Sequence, residues 1–425
     1  MREAGAQPNA RAVEGMVDHL FRYEAGKMVS ALTRMFGTEN LETAEDVVQE
    51  TLLRAMEVWP FQGVPDKPSA WLFRAARNKA IDVLRRTHRV IHVDFESQTL
   101  PGTDGLGGVD TEGDMLRMMF ACCHPGISKA SQITLILKTL CGFGAAEIAR
   151  AFVIPEETVS KRLFRAREFF RKNPVRLEIP TGEEAKSRID AVLNSIYLLF
   201  NEGYNSTSSE ELIRRDLIDE AMRLCLLLAE NHNTRRPEVL ALAALMCFHS
   251  SRTESRLTPE GEIILLPDQD RSRWNRRLID QGNAYMNQAA VGDSLTRYHL
   301  EAAIAYEHCT AQSFSTVNWK RILDYYGLLH EVASSPFVDL NMAVAVLYAR
   351  GPAAASAALD EVNDKRRLQS YYLYHSLLGE IASRTNRGRE AAEHFAVARD
   401  LTKSEPERRL LSMKMAAAAA RERHG

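Results

Sequence analysis

Charge of one sign is the first thing this chain lacks. Its 425 residues hold 54 Lys and Arg against 56 Asp and Glu, a formal net charge of −2. No global field pulls such a molecule onto nucleic acid or a lipid surface. Long apolar runs are missing too. None approaches the roughly 20 residues that a bilayer span needs. The start, MREAGAQPNARAVEG, lacks the apolar core of a signal peptide. A cytoplasmic protein with no membrane partner is expected. Cysteine is scarce: the six residues, at 122, 123, 141, 225, 247 and 309, form no CxxC pair and no framework of the secreted kind. Cys122-Cys123-His124 is the only cluster. Neighbouring side chains on a helix point about 100° apart, so three in a row do not easily share one metal. No metal and no cofactor are expected.

What is present favours helices. Hydrophobic residues make up 45% of the chain, and Ala, Leu, Glu and Arg abound. The length suggests two to three domains. Residues 11–36 read as one helix with an apolar stripe (Val13, Met16, Val17, Leu20, Phe21). Thr43-Ala44-Glu45-Asp46 resembles a capped helix start with acids in the first turn, opening a helix over 44–60 that stops at Pro60. FQGVPDKP, with its glycine and prolines, predicts an irregular loop before a third helix over 69–86. Residues 90–113 then hold five glycines, five acids and no Lys or Arg, the composition of a flexible acidic linker. Helices return at about 114 and run to Lys172.

Charge is uneven locally. Residues 74–89 carry six Lys and Arg against one acid, and residues 156–176 carry seven against three. Two separate basic helices in a balanced chain suggest two phosphate-facing surfaces. The second lies within AAEIARAFVIPEETVSKRLFRARE, 145–168. There, Ile154-Pro155 ends one helix and Glu156-Glu157-Thr158 opens another. Val159, Leu163 and Ala166 share the inner face of this second helix. Two short helices, a tight turn and a basic second helix make a helix-turn-helix layout. On the 44–60 helix, Asp46, Gln49 and Glu50 fall at i, i+3 and i+4 and share a face suited to an arginine-bearing partner helix, or simply to solvent. On the 69–86 helix Arg74, Arg77, Asn78, Arg85 and Arg86 line the polar side. Arginine neutralises phosphate there, and Asn78 can bond a base edge. Phe61 and Trp71 are expected in the core, with stacking on a nucleic-acid base as the alternative.

Three motifs in order carry a resemblance: Ala44-Glu45-Asp46-Val47-Val48-Gln49-Glu50-Thr51, then Trp71-Leu72-Phe73-Arg74-Ala75-Ala76-Arg77-Asn78-Lys79-Ala80-Ile81-Asp82, then Glu147-Ile148-Ala149 with Thr158-Val159-Ser160-Lys161-Arg162-Leu163. Through them residues 13–172 resemble the extracytoplasmic-function (ECF) group of the sigma-70 family of RNA polymerase sigma factors, which keeps two helical domains, regions 2 and 4. The resemblance implies region 2 at 11–89, the linker at 90–113 and region 4 at 114–172. It implies that Asp46, Gln49 and Glu50 grip the β′ clamp of core RNA polymerase, with the β subunit a further partner. Arg74, Arg77, Asn78, Arg85 and Arg86 would capture the minus-ten element of promoter DNA. Ser160, Lys161, Phe164 and Arg165 would enter the major groove at the minus-thirty-five element, with Thr158, Arg162 and Arg167 on phosphates. The proline-rich loop GVPDKPSA departs from the commoner family loop and leaves the identity of a flipped base open. The linker would lie in the channel that nascent RNA later fills, or act as a passive tether.

Residues 185–425 exceed a minimal sigma factor. Helical runs appear at about 185–230, broken at Asn201-Glu202-Gly203-Tyr204, and at 236–249, 271–290, 296–308, 317–333 and 337–350. RLTPEGEIILLPDQD, 256–270, is the one β signal. GPAAASAAL at 351–359 and GREAAEHFA at 388–396 look like two copies of one unit 37 residues apart, near tetratricopeptide spacing. The fold expected is therefore all-α: two sigma domains followed by a tetratricopeptide-like array at 185–425. The FNEGY and DQDRSRW stretches and the run Phe120–Pro125 resemble the ECF subgroup that carries such an extension. Glu202, Asp268, Asp270 and His299 are available acids and bases, but no nucleophile elbow, phosphate loop or metal spacing accompanies them. A non-enzymatic module that binds a regulatory protein or ligand is expected. Phe200 and Tyr204, just past the short linker Asn173–Glu184, are candidates for contact with the sigma domains, or else for packing within the array. The competing reading of the chain is a helix-turn-helix activator with a repeat-based sensor, which leaves 44–89 unexplained.

Overall fold

A computed structural model describes residues 10–91, 110–152, 154–206, 212–292 and 294–422. Every regular element among them is helical. Two compact units divide the chain: Met1–Arg150 with Ile154–Ser195, and Ile196–Gly425 with Ala151–Val153.

The first unit begins with α1 (Ala10–Phe36), α2 (Leu41–Gln62) and α3 (Pro68–Ile91). α1 buries Met28, Val29, Leu32 and Phe36, and α2 buries Leu41, Ala44, Val47, Val48 and Trp59. Each large apolar side chain removed from water contributes about 1.5–3 kcal/mol. The rings of Phe21, Trp59 and Trp71 join the three helices, Phe21 tilted on Trp59 and Trp59 edge to face with Trp71, with centroids 5.5 and 5.6 Å apart. α2 starts earlier and ends later than its sequence suggests. Its N-cap is Asn40, so Thr43 lies inside the helix. It runs through Pro60 to Gln62, where Gly63 at φ 83° turns the chain out. Proline lacks an N–H but its φ is helical, so in a last turn it forfeits one bond without unwinding the helix.

The acidic linker falls mostly outside the described residues, which resume at Asp110. The Asp110 carboxylate caps α4 (Thr111–Cys122) by accepting from the Gly113 N–H at 2.9 Å. α5 (Lys129–Thr139), α6 (Ala145–Phe152) and α7 (Glu156–Lys172) follow. α4 packs on α1, where buried Asp114 accepts from Arg34 at 3.1 Å and from Arg117 at 2.7 Å. After α7 the chain returns to the start of α2: Thr38 Oγ1 and the Val175 backbone bond one another at 2.8 and 3.0 Å. α8 (Gly182–Tyr204) begins in this unit. It buries Ile189, Val192 and Leu193, and its Arg188 donates to the Phe120 carbonyl at 2.7 Å.

In the second unit α9 (Arg215–Glu230) packs on α10 (Pro237–Ser250), which also meets α11 (Arg276–Ala289) and α12 (Arg297–Thr310). Val239–Phe248 are buried without exception, as expected of a helix surrounded by others. α13 (Trp319–Val332), α14 (Pro336–Arg350), α15 (Pro352–Asp360), α16 (Tyr372–Arg384), α17 (Gly388–Leu401) and α18 (Glu405–Glu422) then follow, each packed on the next. Their core is a string of local clusters, the pattern of a quasi-one-dimensional array.

Two sequence readings are corrected here. The expected break at 201–204 is helical, and the turn comes at Asn205. Gly203 allows this because a Cβ there would sit 2.8 Å from the Ile218 nitrogen, where α9 starts. The β signal at 256–270 forms no strand, only an isolated bridge between Leu257 and Ile263. Leu266–Asp268 wind into a 3-10 turn. The apolar run finds no partner strand, and a lone hairpin is marginal in water.

Candidate nucleic-acid interface

α2 presents two faces. Ala44, Val47, Val48, Thr51 and Ala55 are buried, while Asp46, Gln49 and Glu50 are all exposed on one side. Glu50 pairs with Lys79 of α3. Farther along, Leu53 and Met56 are exposed and Phe61 is 89% exposed. Phe61 is therefore not in the core, contrary to the sequence reading. It sits in the final turn, past Trp59, where no neighbouring helix covers it. Trp71 is half-buried against Trp59, as expected of a core-edge residue.

On α3, Arg74, Asn78, Arg85 and Arg86 are exposed and Arg77 is half-buried, while Leu72, Ala76 and Ala80 face inward. The structure thus gathers the expected basic residues on the polar side of one amphipathic helix. Arg85 shares an i,i+3 contact with Asp82 at 4.0 Å.

The two short helices expected within 145–168 form as α6 and α7. Pro155 precedes α7, its carbonyl accepts from the Thr158 N–H at 2.8 Å, and Val159, Leu163, Ala166 and Phe170 are buried. Ser160, Lys161, Phe164 and Arg165 are exposed, while Thr158 and Arg162 are half-buried. Phe164 keeps 59% of its surface in water, an unusual cost for a phenylalanine unless something covers it.

Arg167 stands apart from its expected role on phosphate. Its guanidinium pairs with Glu45 of α2 and lies 3.5 Å from Glu42, while Arg171 reaches Glu42 at 3.2 Å. Buried Glu45 also accepts from Thr139 Oγ1 at 3.2 Å. Sequence reasoning missed this clasp by reading Glu45 as an acid of the first helical turn. A signal existed: Leu41, Glu45, Val48 and Leu52 recur at helical spacing, placing Glu45 on the apolar stripe. A carboxylate there needs a partner.

Phe200 and Tyr204 pack within the second unit, one of the two alternatives. They stack on each other with ring centroids 5.9 Å apart, and Phe200 is fully buried. Arg256 lies 4.0 Å over the Tyr204 ring, and Arg252 donates to its hydroxyl at 2.6 and 3.0 Å. Both aromatics serve the second unit internally. The thiols of Cys122 and Cys123 are buried; desolvation raises both pKa values, that of Cys123 to about 12. No group of three or more His, Cys, Asp or Glu among the described residues is arranged to hold a metal ion. No helix among them is long and apolar enough to cross a membrane.

Residues 20–90, covering most of α1 and all of α2 and α3 but one residue, match the family Sigma-70 region 2. The ECF RNA polymerase sigma factor SigW of Bacillus subtilis (strain 168) is 30% identical over 158 residues, 34% of this chain and 82% of that protein. The chain belongs to the ECF sigma factors. A second ECF relative, SigL of Mycobacterium tuberculosis (strain ATCC 25618 / H37Rv), is 36% identical over 128 residues, 30% of this chain and 71% of that one. Likeness to an uncharacterized protein of Rhizobium meliloti (strain 1021) extends over 388 residues at 34% identity, 90% of each chain. This ECF chain therefore shares its C-terminal array with at least one relative. Residues 188–290 match a family of unknown function, DUF6596. No solved structure matches.

Proposed function

We propose that this ECF chain binds core RNA polymerase and directs it to promoters. The observation that carries the reading is the exposed face of Asp46, Gln49 and Glu50 on a helix whose opposite face is buried, inside the segment that matches Sigma-70 region 2. Two carboxylates and an amide on one exposed face suit arginines on the β′ clamp. The basic side of α3 tracks the minus-ten backbone, and Asn78 meets a base edge. Phe61, exposed at the end of α2, offers an apolar platform for an unstacked base. Ser160, Lys161, Phe164 and Arg165 read the minus-thirty-five element from the exposed half of α7, with Thr158 and Arg162 on flanking phosphates. For Arg167 to join them, it must first leave Glu45.

In this reading the chain works in the cytoplasm as a specificity subunit without a catalytic site. Residues 185–425 form a tetratricopeptide-like regulatory array. Support comes from the buried positions of α15 and α17. Ala355 and Leu359 correspond to Ala391 and Phe395 at a constant offset (391 − 355 = 36), one residue shorter than the glycine-to-glycine spacing. An effector bound to the array sets the activity of the sigma domains.

The test is Asp46→Arg combined with Glu50→Arg. Both sites are exposed, so helical content and melting should stay near wild type, while reversed charge opposes an arginine-rich partner. Co-purification with core polymerase and run-off transcription should both be lost. A variant that still co-purifies with core at the wild-type level refutes the assignment. Transcription that needs a second sigma factor in the mixture would point to an activator instead.

A further inference from the structure

The second unit holds a cavity of about 520 Å³ between α10, α12, α13 and the first turn of α14. That volume is within the range of sites for small organic molecules, roughly 300–1,000 Å³. Its lining combines two kinds of side chain. One is aliphatic and aromatic: Phe248, Leu266, Ile304, Leu329, Phe337 and Val338. The other is polar: His249, Arg252, Arg297, Glu301 and His308.

The charges in the lining do not cancel. Arg297 is neutralised by Glu301 at 2.9 Å and stacks 4.5 Å from the centre of the Tyr197 ring. Arg252 has no ion pair among the described residues, and its hydrogen-bond partner is the neutral hydroxyl of Tyr204. Just behind, Arg271 donates to the carbonyls of His308 and Ala311 at 2.5 and 3.0 Å, and its Nη2 is buried with no partner. His308 Nδ1 is likewise buried and unpartnered. The two histidines add no charge. Burial, with Arg252 and Arg271 nearby, lowers His308 to a pKa of about 3, and burial with Arg252 and Arg256 holds His249 well below its usual value. A half-buried guanidinium without a counter-ion, beside an unsatisfied ring nitrogen, is costly unless an anion completes it.

We propose that this cavity binds a small amphipathic organic anion, its carboxylate or phosphate-monoester head on Arg252 beside His308 and its apolar body along Phe248, Ile304 and Leu329. A fully polar anion leaves the apolar lining wet, and a neutral hydrocarbon leaves Arg252 uncompensated. The class is therefore set by both kinds of lining residue together: a single anionic head on an aliphatic or aromatic body. The inference concerns binding by the array and stands independently of whether the chain directs transcription.

The test uses the purified full-length chain and two probes of equal length, octanoate and 1-octanol, in titration calorimetry. Octanoate should bind one per chain and at least about tenfold more tightly than octanol, the step expected of one charge-assisted contact. Arg252→Gln should erase that preference without changing octanol binding. Ala305→Leu, which pushes a larger side chain into the cavity, should weaken both probes. Circular dichroism and melting establish that each variant is folded; if Arg252→Gln is not, Ala305→Leu and the two-probe comparison decide. Absence of saturable octanoate binding, equal affinity for the two probes, or wild-type octanoate affinity in the folded variants would overturn the proposal.

Discussion

Arg165 and Arg167 lie two residues apart on α7 and face different fates. Arg165 is exposed, while Arg167 is drawn onto buried Glu45 and onto Glu42. Arg167→Ala strands the Glu45 carboxylate with only the Thr139 hydroxyl, and removing one partner of a buried ion pair costs about 3–5 kcal/mol. Arg165→Ala removes nothing that the fold uses. Thermal unfolding should therefore show Arg167→Ala melting lower by about 2–4 °C per kcal/mol lost, and Arg165→Ala melting with wild type. Equal melting temperatures would mean that the clasp contributes nothing. At this scale the sequence was legible where a residue faces water: Asp46, Gln49, Ser160 and Arg165 are exposed, as their spacing implied. It did not reveal the partners of Arg167 and Phe200, because a side chain's partner on another element leaves no trace in its own helical period, nor that nothing covers Phe61 at the end of α2.

Helices were the most readable elements. α1, α7, α10 and α12–α14 begin and end within a few residues of their apolar periodicity and their breakers. The exception at 263–266 has a physical cause: strand propensity is a preference for a pleated, half-buried surface, and none forms there. Packing between helices was not readable at all. Gly282 of α11 illustrates this, since a Cβ built on it would lie 2.7 Å from the ring of Phe248, which is fully buried on α10. By helix propensity alone Gly282→Ala should stabilise by about 1 kcal/mol. The buried ring cannot yield without overpacking, which costs about 1–3 kcal/mol. We expect a net loss of stability in chemical denaturation. A stabilised variant would show that α10 and α11 separate at little cost.

At the scale of the whole chain, composition anticipated an all-α molecule, and the first two motifs anticipated the segment that matches Sigma-70 region 2. The boundary was less visible. The sequence put the array's start at 185, and the two compact units divide later, after Ser195 within α8. An amphipathic stripe says that a helix serves a core but not which core.

The six cysteines, which first served only to exclude a disulfide framework, turn the molecule into its own gauge of opening. All six are buried thiols, with Cys122, Cys123 and Cys141 in the first unit and Cys225, Cys247 and Cys309 in the second. Desolvation raises the pKa values of Cys123 and Cys247 to about 12, and thiolate is the form that reacts. At neutral pH a disulfide reagent can therefore modify these sulfurs only when the surrounding structure comes apart. Labelling followed by mass spectrometry should show two kinetic classes of three thiols, one for each unit, both far slower than in denaturant. Six unrelated rates, or fast modification in native buffer, would contradict cooperative opening of each unit. With two classes, one reagent reads the opening free energy of the first unit and of the second separately, in a single unmutated chain.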